Sequence, residues 1–114
     1  MIGYYLFGLP FVSLPLQSNI IECLIDTGFN GTLMLPMNDV NKSWRKTGRA
    51  QYMMADGELG EADIYAIEFE WFDQKKQIQV LVVNCDFPLL GMALLKDSQL
   101  LMSPSESILE ISTV

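Results

Sequence analysis

Apolar residues in this chain come in short pieces. Tyr4–Phe7, Phe11–Leu14, Ile20–Ile25, Thr32–Leu35 and Ile78–Val83 are rich in β-branched and aromatic side chains, and each stops at a Gly, Pro, Asp or Asn. Runs of this length, cut by turn residues at this spacing, indicate a small all-β barrel or sandwich. The best helix candidate is Met92-Ala93-Leu94-Leu95-Lys96, with good helix formers throughout and Asp97-Ser98 to end it. A second, polar stretch from Met37 to Lys46 suits a short amphipathic helix, stopped at Gly48. The 114 residues fit a single domain, 1–114, with no room for a second core.

Charge and residue usage remove several function classes. Seven Lys and Arg against fourteen Asp and Glu leave a net charge of −7. Such a chain repels phosphate backbones, so no nucleic-acid partner is expected. The chain has no histidine, which excludes Ser-His-Asp and Cys-His nucleophile systems and any His-containing zinc site. Acid–base chemistry must then come from carboxylates, Lys, Tyr or Cys. Cys23 and Cys85 show no metal-binding spacing; they read as buried free thiols in a reducing, cytoplasmic compartment. No metal and no cofactor are expected.

Residues 1–21 carry no charge. Pro10 and Pro15 would break a helix, and Gly8, Ser13, Gln17, Ser18 and Asn19 dilute the hydrophobicity, so strand, turn and strand fit better than a membrane span or leader. Four of the basic residues, Lys42, Arg45, Lys46 and Arg49, cluster in the polar stretch, where a solvated face is favoured over a docking patch. Further on, Asp56-Gly57 between Gln51–Ala55 and Glu61–Phe72 is a strong hairpin signal.

One constellation carries chemistry. Leu24-Ile25-Asp26-Thr27-Gly28 ends an apolar strand on a carboxylate, and Leu89-Leu90-Gly91 follows much later. An aspartate at the end of such a strand is held at the edge of a buried region. Thr27 supplies a hydroxyl that can brace a turn, and Gly28 permits close approach of another chain. By itself Asp-Thr-Gly is also a respectable turn sequence.

These motifs in series resemble the retropepsin-like aspartic proteases, particularly their stand-alone bacterial and archaeal forms. Ile25-Asp26-Thr27-Gly28 with Thr32-Leu33-Met34-Leu35-Pro36 is similar to their active-site loop, Ala55-Asp56-Gly57-Glu58 to their flap, and Leu89-Leu90-Gly91-Met92 to the entry into their single helix. The resemblance runs from about residue 6 to residue 111. It implies a small closed all-β barrel with one short helix near the C-terminus. It further implies a homodimer with one catalytic Asp26 per subunit, a polypeptide substrate and no membrane partner.

By the same resemblance, Thr27 grips the partner's loop and Gly28 lets the substrate backbone pass. Leu24, Ala55, Asp56, Gly57, Phe87 and Leu89 become candidate substrate contacts, with Met53 and Met54 beside them. For the leucines and methionines ordinary core packing is the competing account, and for Gly57 a plain hairpin turn. Two departures stand out: Asn30-Gly31 after Phe29, where viral members carry acidic residues, and Met92, where they often carry arginine. The Ile108–Ile111 strand is open to two readings, at a dimer interface or internal. A non-catalytic dimeric β-barrel that binds extended peptides is the alternative function, and an unrelated β domain with Asp26 in a plain turn is a third.

Overall fold

The computed structural model describes residues 1–54 and 56–113. Ten strands follow one another: β1 (Tyr4–Leu6), β2 (Leu9–Leu16), β3 (Asn19–Ile25), β4 (Leu33–Pro36), β5 (Arg45–Met53), β6 (Leu59–Trp71), β7 (Gln74–Val83), β8 (Leu89–Leu90), β9 (Ser98–Ser103) and β10 (Ile108–Thr113). Among the described residues one short α-helix forms, α1 (Met92–Leu95), between β8 and β9. The all-β reading and the C-terminal helix therefore stand.

Eight strands form one sheet in the order β1-β2-β3-β8-β4-β7-β6-β5, while β9 and β10 make a separate antiparallel pair. Among the described residues the end strands β1 and β5 do not pair, so the expected closed barrel is instead an open, folded sheet. The end strands also differ in length: β1 has three residues, whereas β5 runs nine residues out along β6.

Both prolines of β2 lie where one flank of the strand has no partner. Pro10 pairs with Tyr5 of β1 just before pairing to β3 begins at Phe11, and Pro15 faces Ile20 of β3 beyond the end of β1. A missing N–H costs little at such positions. The uncharged N-terminal segment is thus built into strands, and no helix among the described residues is long and apolar enough to cross a membrane.

The polar stretch departs from the helix expected over Met37–Lys46. Only one 3₁₀ turn forms, at Met37–Asp39, and Arg45 onward is β5. Asn41 turns the chain locally, its side-chain oxygen accepting from the Ser43 N–H (2.9 Å). The rest joins a ladder from Arg45↔Ala66 to Met53↔Leu59. Tertiary pairing with the long β6 outweighs weak local helix preference here. Lys46 and Arg49 line this ladder and pair with acidic residues of β6, Lys46 with Asp63 (3.2 Å) and Arg49 with Glu61 (3.4 Å).

The main core fills one face of the sheet, where Val12, Leu14, Cys23, Ile25, Leu33, Leu35, Val80 and Leu90 are joined by Leu94 of α1 and Leu109 and Ile111 of β10. Strand β10 pairs within the chain, with β9 on one side and the N-terminus on the other, where the Gly3 N–H donates to the Leu109 carbonyl (2.8 Å) and Ile2 bridges Glu110. The alternate residues Leu24, Met34, Leu81 and Leu89 point to the opposite face and build a smaller apolar cluster with Phe29.

Candidate active site

Asp26 follows directly on β3. Its N–H continues the ladder by donating to the Leu90 carbonyl (2.9 Å), and its own carbonyl accepts from the Phe29 N–H (3.2 Å). One carboxylate oxygen accepts the Gly28 N–H (2.9 Å), a local Asx turn that sets the side-chain direction. Asp26 is half-buried; Thr27 and Gly28 are exposed. Among the described residues the Thr27 hydroxyl makes no hydrogen bond within the chain.

The Asp26 loop is held from behind by the β8–α1 junction. Strand β8 inserts between β3 and β4, parallel to the first and antiparallel to the second, with Leu24↔Leu89 and Met34↔Leu89 in register. At the start of α1, the N–H groups of Gly91, Met92 and Ala93 donate to the carbonyls of Thr32 (2.8 Å), Phe29 (2.8 Å) and Gly31 (3.1 Å). These helix-entry donors would otherwise lack partners. The Thr32 hydroxyl ties the loop's far end to the Gln79 carbonyl of β7 (2.5 Å). The two motifs separated by some sixty residues in sequence thus form one hydrogen-bonded unit around Asp26.

The face bearing Asp26 carries a continuous apolar row. Phe11, Leu24, Leu89, Met34, Leu81 and Ile64 stand side by side across β2, β3, β8, β4, β7 and β6, and directly opposed residues share a face. Of the residues singled out in the sequence, Leu24 is half-buried in this row and Leu89 is buried, so Leu89 acts as its packing floor. Phe87 is 45% exposed and meets Phe11 edge-on, ring centroids 5.6 Å apart.

Asp56 and Gly57 lie at the exposed tip of the β5–β6 hairpin. Gly57 has φ 86°, which the turn needs and a side chain resists; its N–H donates to the Met54 carbonyl (2.9 Å), and Asp56 accepts the Glu58 N–H (2.9 Å). No hydrogen bond among the described residues joins this tip to Asp26. Ala55 lies outside the described residues. Two residues that the sequence reading did not place among the site contacts belong to the same face: Phe29, fully buried, and Tyr52 of β5, half-buried against it. Their only sequence signal is an aromatic beside each motif.

Two clefts, of about 680 and 220 Å³, lie elsewhere. The larger opens between the β2–β3 and β6–β7 hairpins, beside Leu14, Pro15, Phe69 and Phe72; none of the candidate site residues lines either one. Both cysteines are free, and burial pushes the Cys23 thiol up to about 12.

No family model and no curated protein matches this chain. Solved structures do. The retropepsin-like aspartic protease from Rickettsia conorii is 19% identical, with all of this chain and 92% of that one covered, at a TM-score of 0.63. The EIAV protease, in complex with the inhibitor HBY-793, is 22% identical over 82% of this chain and 91% of its own, at a TM-score of 0.66. The foamy viral protease-reverse transcriptase is 17% identical over 77% of this chain and 12% of its own length, at a TM-score of 0.56. The chain has the retropepsin-like fold.

Proposed function

We propose that residues 1–114 form one aspartic endopeptidase unit, completed when two copies pair about a two-fold axis. One observation carries the reading: a lone, half-buried Asp26 carboxylate is braced by the β8–α1 junction on a surface otherwise exposed at Thr27 and Gly28. Hydrolysis of an amide by carboxylates needs an ionised group to take a proton from water and a protonated group to polarise the carbonyl. Two aspartates brought together share one proton, because both cannot ionise at close range, and titrate as a pair. A two-fold dimer of this chain supplies the second carboxylate from the same position.

On this reading one Asp26 is the base and its symmetry mate the acid. Thr27, whose hydroxyl has no hydrogen-bond partner among the described residues of its own chain, bonds the neighbouring loop. Gly28 and the Asp56-Gly57 tip contact the backbone of an extended polypeptide and exclude water. The Leu24–Phe87 end of the apolar row receives a substrate side chain, with Leu89 beneath it. The similarity to the two proteases supports this assignment. Free thiols support a cytoplasmic setting.

The decisive experiment compares wild type with Asp26→Asn on an unstructured protein substrate, with oligomeric state followed by sedimentation. The substitution is expected to abolish cleavage and leave fold and dimer intact, and wild-type rate to follow a bell-shaped acidic pH profile. Cleavage retained by Asp26→Asn sinks the assignment. Saturable peptide binding without turnover by a dimeric wild type favours the non-catalytic peptide-binding alternative.

A further inference from the structure

The β1–β2 hairpin ends in the most exposed aromatic side chain among the described residues. Phe7 is 93% exposed, in a two-residue turn where Phe7 (φ 52°) and Gly8 (φ 75°) both adopt left-handed conformations. Asn or Gly suits the first position of such a turn, and a bulky aromatic resists it. No ring within the chain compensates, since the aromatic contacts near the hairpin join Tyr4, Phe11 and Phe87 to one another. Leu6 and Leu9, on either side of the turn, are exposed as well.

This tip stands beside Asp26. Phe11↔Leu24 is the last ladder pair of β2 and β3, and the same register carried two residues further sets Leu9 level with Asp26. Leu6 pairs with Leu9 across the hairpin. On the other flank of Asp26, beyond β8, the α1 entry presents the exposed Met92 and Ala93, tied to the Asp26 loop through the Phe29 and Gly31 carbonyls.

Both flanks are without charge: no acidic or basic side chain occurs in residues 1–21, in Asn30-Gly31 or in Gly91-Met92-Ala93. The chain as a whole carries a net charge of −7, so a second copy is repelled by most of its surface. Two such copies approach most cheaply across the uncharged ground on either side of Asp26. Aromatic and methionine side chains with charge depleted are also the composition of interface cores.

We infer that Phe7 anchors the homodimer, the Leu6-Phe7-Gly8-Leu9 tip of each copy packing on the Met92 flank of the other. This rests on the peptidase reading above, whose half-site needs a second Asp26. In a two-fold interface a contact between unlike residues is made twice, so one Phe7–Met92 contact lies on each side of the Asp26 pair. Loss of the tip separates the carboxylates without altering either one.

The test is sedimentation equilibrium on wild type, Phe7→Ser, Phe7→Trp, Met92→Ser and Ile20→Ser, with cleavage of an unstructured protein followed across enzyme concentration. Ile20, 72% exposed near the start of β3, controls for surface apolarity in general. Phe7→Ser and Met92→Ser are expected to raise the dimer dissociation constant about tenfold or more. Phe7→Trp and Ile20→Ser are expected to leave it within about threefold of wild type. Cleavage by Phe7→Ser should fall at low concentration and recover as concentration restores the dimer. An active, dimeric wild type whose dissociation constant Phe7→Ser leaves unchanged overturns the inference alone, and so it does if that variant instead loses binding to phosphatidylcholine vesicles. A wild-type dimer that Phe7→Ser weakens but that cleaves nothing supports the anchor and sinks the peptidase reading. A wild type that is monomeric and inactive at every concentration overturns both.

Discussion

The backbone of Gly91 lies against the ring of Phe29: a Cβ at Gly91 would stand 2.5 Å from ring atom Cδ2. Gly91 itself is extended (φ −109°), so its lack of a side chain answers to crowding and not to backbone conformation. The contact joins the helix entry to the Asp26 loop. We expect Gly91→Ala to cost about 1–3 kcal/mol, the usual range for overpacking a tight interior. A urea titration of the variant measures it, and an unchanged midpoint would count against this packing.

The cysteines are expected to be slow to react. Burial, with Glu22 and Asp39 adding to it, pushes the Cys23 thiol up to about 12; burial followed by Asp86 raises that of Cys85. Since the thiolate is the reactive form, an Ellman's reagent assay at pH 8 should find Cys23 silent in the folded protein and Cys85, which is half-buried, slow. Both should titrate fully in denaturant. A raised folded pKa also means that the contribution of Cys23 to stability is complete below the ordinary thiol range and is lost as pH climbs toward about 12. Prompt labelling of native Cys23 would contradict the burial.

Glu22 should shape the acid limb of stability. The Ser13 and Tyr4 hydroxyls both donate to its Oε1, and these bonds, Ser13's first, hold its carboxyl below the usual carboxylate range. A depressed folded pKa contributes stability above the unfolded pKa, and that contribution is lost as pH falls through the folded value. Glu22→Gln is therefore expected to flatten the decline of the urea midpoint on acidification. Superimposable acid limbs for the two proteins would reject the role.

The β6–β7 turn offers a stabilising change. Phe72 (φ 49°) and Asp73 (φ 63°) both adopt left-handed backbone conformations between Trp71 and Gln74. A two-residue hairpin of this kind favours Gly at its second position, so Asp73→Gly is expected to stabilise by about 0.5–1 kcal/mol. Phe72→Gly should do the reverse, because the Phe72 ring meets Trp71 edge-on at 4.9 Å. Thermal melts of the two variants shifting in the same direction would show that the turn is not the controlling feature.

Much of the fold was legible in local pattern. The Asp56-Gly57 hairpin, the strand leading to Asp26 and the helix after Gly91 each rest on residues close in sequence, where turn chemistry and side-chain type suffice. The polar stretch before β5 was not legible, since nothing local announces that β6 extends far enough to recruit Arg45–Met53. Open or closed sheet was equally hidden: closure depends on whether the end strands meet, and β1 and β5 do not.

From the amino-acid order alone came the short strands, the acidic surface, the exclusion of histidine chemistry and the single Asp-Thr-Gly. Tertiary structure alone decided that two residues of β8 would slip between β3 and β4, putting Leu89 in register with both Leu24 and Met34. It likewise decided that Phe29 and Tyr52, far apart in the chain, would pack into one apolar cluster with Met34 and Leu89. Propensity acts over neighbouring residues, whereas strand insertion and aromatic cover are won by burial between distant segments, whose loop-closure cost no local pattern records.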